Sequence, residues 1–129
     1  MTDDDLLAAA REVRERAYCP YSNFRVGAAL VDENGDVHVG CNVENAAYPQ
    51  GNCAEAGAIA AMVAAGGTKI VTIAVAGGEE HTRACPPCGG CRQRIHEFAD
   101  GDTRIIFKND DGEWQICSID ELLPLSFHL

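Results

Sequence analysis

Two short cysteine segments constrain this chain more than anything else in it. Cys53-Ala54-Glu55 stands at the start of one predicted helix, Pro87-Cys88-Gly89-Gly90-Cys91 at the start of another, and one predicted strand lies between them. A fold that gives the sulfurs a shared role must bring two helix starts together. Cys88 and Cys91 are three apart, which puts both sulfurs on the same side of one helical turn, and Cys53 can reach them from the neighbouring helix. Three protein ligands leave a fourth tetrahedral position open, which separates a catalytic zinc from a closed structural one. The chain has seven cysteines, and an odd number excludes a fully paired disulfide framework, so metal ligation is the better reading of this pair of segments. Cys19, Cys41 and Cys117 read as small core hydrophobes.

The rest of the pattern supplies a scaffold. Asp3 to Ala17 places Leu6, Leu7, Ala10, Val13 and Ala17 at helical spacing, leaving Arg11, Glu12, Arg14 and Glu15 to water. Pro20 follows, and Phe24 to Val31 is apolar enough for a strand buried on both faces. Asn34-Gly35 predicts a tight two-residue turn into a second strand, Val37 to Val43. Tyr48 to Asn52 is loop chemistry, Cys53 to Ala65 a helix closed by Gly66-Gly67, and Lys69 to Ala76 a β-branched strand. Pro87 to Phe98 predicts a third helix, with strands at Thr103–Phe107 and Glu113–Cys117. Helices alternate with strands, which predicts an α/β fold of three layers, helices packed on both faces of a sheet. With 129 residues, 47% of them hydrophobic, the expectation is one domain spanning residues 1–129.

Charge narrows the partners. The formal net charge of −10 works against phosphate neutralisation, so nucleic acid is not an expected partner. No apolar run approaches membrane-spanning length, and Met1 to Leu7 is acidic rather than basic and then apolar, so no membrane association and a cytoplasmic location are expected.

Glu55 lies two residues after a candidate ligand, where its carboxylate can serve a reacting water without ligating the metal. A non-ligating Glu joined with a Pro-Cys-x-x-Cys segment is the mark of zinc deaminases, in which water attacks C4 of a cytosine. That chemistry needs a proton at N3 and a proton for the departing amine, and one carboxylate can move both.

From these residues the chain resembles the small homotetrameric, zinc-dependent cytidine deaminases along nearly its whole length. Tyr21 to Ala29 is similar to the family's first strand, Gly40 to Ala46 to its ribose-binding segment, and Pro87 to Gln93 to its second metal segment. The resemblance implies a five-stranded mixed sheet, one Zn2+ per subunit on Cys53, Cys88 and Cys91, and Glu55 as the catalytic group. It also implies that Phe24 stacks on the pyrimidine, that Asn42 and Glu44 bond the ribose hydroxyls, and that the Ala54 N–H holds the base carbonyl. Ala46, Tyr48 and Phe127 would complete a neighbouring subunit's pocket. The expected reaction is hydrolysis of cytidine or 2′-deoxycytidine to the uracil nucleoside and ammonia, a step of pyrimidine salvage.

Two positions depart from the family pattern. Where such enzymes usually carry Arg after the catalytic Glu, this chain has Ala56, and Arg92 is the nearest candidate in sequence to offset the thiolate charge. Pro86 stands where the family usually has Ser, which opens the alternative of a modified base, blasticidin-like or 5-substituted. Two further readings come from other classes. Cys85-Pro86-Pro87-Cys88 has the spacing of a thioredoxin-like redox pair, and a fourth ligand from Cys85 or Cys41 would close the site into a structural zinc module. The four histidines show no metal spacing and read, with Trp114 and the acidic run Asp3 to Asp5, as structural.

Overall fold

The computed structural model describes residues 1–129. Its elements, in order, are α1 (Asp3–Arg14), β1 (Arg25–Asp32), β2 (Val37–Cys41), α2 (Ala54–Ala64), β3 (Ile70–Gly78), α3 (Gly89–Glu97), β4 (Arg104–Lys108), β5 (Trp114–Cys117) and α4 (Ile119–Leu122), with a 3-10 turn at Tyr48–Gln50. The five strands form one sheet in the order β2-β1-β3-β4-β5. β3 and β4 run parallel and the other neighbours antiparallel, so the sheet is mixed.

Alternation along the strands sorts side chains into two cores. Ala28 and Leu30 of β1, Ile73 and Val75 of β3 and Ile105 of β4 pack with α2, α3 and α4, against Ala58, Ile59, Met62, Ile95 and Ile119. The opposite parities, Ala29, Ala74, Ala76 and Ile106, pack with Leu6, Leu7 and Ala10 of α1. A period of two on strands that are buried on both faces therefore yields the expected three layers. The small side chains of β1 and β2 let the helices close in. Gly40 of β2 sits directly under α2, where a Cβ would stand 2.4 Å from the Ala54 carbonyl oxygen and 2.4 Å from the Ala58 nitrogen.

The helix starts are specified locally. At α1, the Asp5 N–H donates to Thr2 Oγ1 at 3.1 Å and the Thr2 N–H donates to Asp5 Oδ2 at 3.0 Å, a reciprocal capping box with acids in the first turn. The same device, Ser118 with Glu121, opens α4, which the pattern reading left out.

The structure corrects several expectations. α1 stops at Arg14 rather than Ala17, and Arg14 is buried instead of wet: its guanidinium donates to the carbonyls of Gly78 at 2.8 Å and Glu80 at 3.1 Å. The cation is held inside by these carbonyls at the end of β3 and in the segment that follows it. The β1–β2 turn spans three residues rather than two. The Gly35 N–H closes onto the Asp32 carbonyl at 3.0 Å, and only Gly35 takes positive φ, at 81°. That is a type I turn followed by a left-handed glycine, with Asp32 Oδ1 accepting the Asn34 and Asp36 N–H groups and so setting the longer loop. β2 ends at Cys41 because Val43 leaves it to bridge Tyr18 and Asn52.

Candidate metal centre and catalytic pocket

Both cysteine segments sit where a helix begins. Cys53 is the N-cap of α2 and Cys88 the N-cap of α3, each in extended conformation, while Cys91 lies one turn into α3. Cys88 Sγ takes the role an oxygen usually plays there and accepts the Cys91 N–H at 3.4 Å. Parallel packing of β3 with β4 places the two helix starts at one corner of the sheet. The Sγ atoms of Cys53, Cys88 and Cys91 all lie within 4.8 Å of one another, and those of Cys53 and Cys88 are 4.0 Å apart. Sulfurs held about 2.3 Å from a tetrahedral zinc stand roughly 3.8 Å apart, so this donor set fits that ion with small adjustment. Neither Cys41 nor Cys85 belongs to the cluster, and no carboxylate does, so the protein supplies three donors and leaves a fourth direction free. The sulfurs share protons: a hydrogen bond from Cys91 draws the Cys53 thiol down to about 6 and pushes Cys91 up.

Glu55 enters from the first turn of α2 and is only 4% exposed. Burial pushes its carboxyl above the usual carboxylate range, and the charge of Cys53 adds to that. It lines, with Ala54, Cys53 and Cys88, an open cavity of about 390 Å³. That is the size of a small-ligand site, about 300–1,000 Å³. Ala54 is the first residue of α2, so its N–H has no acceptor within the helix and is free for a ligand.

Phe24, Asn42, Glu44 and Tyr48 line the same cavity. Asn42 is anchored through its amide, with Oδ1 accepting the Val26 N–H at 2.8 Å and Nδ2 donating to the Phe24 carbonyl at 2.8 Å. One N–H of the amide and one acceptor lone pair remain for a ligand. Glu44 is held by the Tyr21 and Ser22 N–H groups at 3.0 and 3.1 Å and by the Ser22 hydroxyl, whose bond keeps the carboxyl below its usual range. The Arg83 guanidinium lies 5.4 Å from the centre of the Phe24 ring. Tyr21, Ser22 and Arg83 were not among the expected site residues, and only their contacts reveal them.

Ala46 and Phe127 stand outside this cavity. Ala46 is exposed, and the Phe127 side chain is turned to solvent while its carbonyl accepts from Gln93 Nε2 at 2.9 Å. Tyr48, expected to serve a neighbour, lines the cavity of its own chain while remaining 78% exposed.

Arg92 is the clearest departure from expectation. Its guanidinium donates to the Pro87 carbonyl at 2.8 Å and the Leu122 carbonyl at 3.0 Å, tying the entry of α3 to the end of α4, and it touches no sulfur. The cation at the thiolates is Arg94, whose Nη1 donates to Cys91 Sγ at 3.6 Å. Its signal was present in the sequence, since a residue three beyond a helical cysteine shares that cysteine's face. Cys85 lines the cavity but burial pushes its thiol up to about 12. A redox cysteine needs the opposite shift, so the geometry does not favour a thioredoxin-like pair.

Residues 1–108 match the family described as the cytidine and deoxycytidylate deaminase zinc-binding region. A cytidine deaminase of Halalkalibacterium halodurans is 43% identical over 122 residues, covering 95% of this chain and 91% of the relative. A second, from Sporosarcina psychrophila, is 40% identical over 127 residues, covering 98% and 92%. The crystal structure of cytidine deaminase from Burkholderia pseudomallei superposes with a TM-score of 0.88 at 43% identity, covering 98% of this chain and all (100%) of that one.

Proposed function

The chain belongs to the cytidine and deoxycytidylate deaminase family, and from that premise we propose how its residues divide the work of turning cytidine and water into uridine and ammonia. The observation that carries the reading is a triangle of three cysteine sulfurs with a buried, non-ligating Glu55 on the wall of one ligand-sized cavity. Cys53, Cys88 and Cys91 would hold zinc, and the bound ion would supply Lewis acidity that lowers the pKa of water to about 7 and makes a nucleophile available at neutral pH.

Glu55 takes the proton released from the attacking water and delivers it to N3 of the pyrimidine. Glu55 then takes the second proton from the new C4 hydroxyl and passes it to the amino nitrogen as the bond between C4 and that nitrogen breaks, so that C4 becomes the carbonyl of uridine and ammonia departs. A carboxyl that burial raises above the ordinary carboxylate range suits both transfers, because it takes up a proton more readily than an exposed one and can still release it. The free N–H of Ala54 donates to the base carbonyl and Phe24 offers its face to the ring. Asn42 and Glu44 bond the ribose hydroxyls, with Glu44 preset by Ser22 and the Tyr21 N–H.

The enzyme is one domain over residues 1–129 and assembles as a homotetramer in the cytoplasm. Support for assembly comes from large apolar side chains left exposed, among them Val43 and Tyr48 at the cavity and Leu125 and Phe127 near the carboxy terminus. There Ala46, Tyr48 and Phe127 border an adjoining subunit's pocket. No helix is long and apolar enough to cross a membrane. Both ribose and deoxyribose nucleosides are accepted, as part of pyrimidine salvage. Pro86 lines the cavity and lacks the N–H that another residue would offer there, so 5-substituted and blasticidin-like bases belong in the substrate panel.

The test is ultraviolet-monitored conversion of cytidine by zinc-loaded protein, with Glu55→Ala as control. Turnover by the wild type and its loss in the variant, with zinc retained, is the expected result. A folded, zinc-bound wild type inert toward every nucleoside in the panel would refute the assignment.

A further inference from the structure

We propose that Arg94 is a positioning residue of the metal centre, supplying the positive charge that three thiolates around a divalent zinc leave uncompensated; the inference rests on the zinc reading above. Three thiolates on one divalent cation carry one excess negative charge, which weakens the cation's pull on a fourth ligand. Two features of the fold already oppose that excess, because Cys53 and Cys88 each stand at a helix N-terminus. Cys91 lies inside α3, and its sulfur is the one that receives the Arg94 Nη1 donor, at 3.6 Å.

The surroundings of Arg94 support this role. The chain carries 20 acidic residues against 10 Lys and Arg, yet Arg94 makes no ion pair with a carboxylate. Its side-chain partner is the sulfur. Gly90 leaves the room for this, since a Cβ there would stand 3.3 Å from Arg94 Nη1. The other arginine of the helix's first turns, Arg92, is committed to two backbone carbonyls. Arg94 is exposed, so solvent and salt screen part of its charge and its contribution shrinks as ionic strength rises.

The experiment compares full-length wild type, Arg94→Gln and Arg94→Lys by zinc affinity in competition with a chelator and by the thiolate-to-metal charge-transfer absorption of the cobalt-substituted proteins. Glutamine keeps an N–H donor and removes the charge; lysine keeps the charge. Removing a partner of a ligand costs about 10–100-fold in metal affinity, and exposure puts the expected loss for Arg94→Gln near the lower end, about tenfold. The charge-transfer band should move to longer wavelength, because a thiolate without its cation gives up an electron more readily, and Arg94→Lys should recover most of both changes. Equal affinity and an unmoved band in Arg94→Gln would overturn the proposal, as would equal losses in the lysine and glutamine variants, which would assign the effect to shape rather than charge. A wild-type protein with no thiolate-to-cobalt band would instead bring down the zinc reading itself.

Discussion

Substituting Gly40 by alanine should damage a site to which Gly40 contributes no side chain. A Cβ at Gly40 would meet the Ala54 carbonyl oxygen and the Ala58 nitrogen at 2.4 Å and the Gly57 carbonyl carbon at 2.8 Å, all of them backbone atoms of α2. No rotamer change can relieve that, so the helix must lift from β2 by roughly 1 Å to restore van der Waals separation. The first turn of α2 carries Ala54 and Glu55, and its cap is Cys53. A shift of about 1 Å in catalytic groups costs on the order of a hundredfold in rate. Overpacking of this kind costs about 1–3 kcal/mol, which for a domain of this size lowers Tm by about 4–12 °C. Thermal unfolding and steady-state turnover of the zinc-loaded variant measure the two effects separately. Gly57→Ala is the contrast: its Cβ would meet Gly40 Cα at 3.5 Å, an ordinary contact, and it replaces a helix-interior glycine. A gain of about 0.5–1 kcal/mol is expected there. If Gly40→Ala melted and turned over like the wild type, close approach of α2 to β2 would not be what places the site.

Metal removal and acid give two further tests. Chelation should lower Tm and added zinc should raise it again with concentration, because a ligand bound only by the folded state stabilises by about 2.7 kcal/mol at a hundred times its Kd; a Tm indifferent to zinc would contradict the site. Asp32 is buried on the His38 side of the β1–β2 turn, and the His38 hydrogen bond holds its carboxyl below the ordinary value of 3.8. A depressed carboxylate contributes stability above its unfolded value and loses it as pH falls through the folded one. The stability gap between wild type and Asp32→Asn, read from urea midpoints, should therefore be open at neutral pH and close below about pH 3.8; a constant gap would show that the pair does not act through charge.

Sequence periodicity located every strand because β1 and β3 present apolar residues in both parities, and a doubly covered sheet leaves that trace. It misplaced the ends, where partners far along the chain decide. Ala17 had helical spacing, but Tyr18 beside it is taken into a bridge with Val43 and Arg14 is drawn under the Gly78–Glu80 segment. The Ser118-x-x-Glu121 cap of α4 was readable and too short to weigh against a four-residue helix. At the site, the ligand spacing and the place of Glu55 followed from two helix starts. Arg92 was chosen over Arg94 because nearness in sequence is not nearness on a helix: one residue past Cys91 turns about 100° away, whereas three past it returns to the sulfur. The contacts of Ser22 and Arg83 depend on how loops fold back, which no local pattern encodes.

Cys53 caps α2 without making a side-chain hydrogen bond to the helix it begins. Ala54 to Ala64 is rich in alanine and sustains a helix once one exists, but nothing in its own first turn fastens the end. The amides of that turn are therefore where added metal should raise protection from hydrogen exchange most. A metal ion on the Cys53 sulfur would tie this end to α3, 35 residues along the chain. Rigidity at the reactive corner is then a property of the loaded enzyme, acquired with the ion that performs the chemistry.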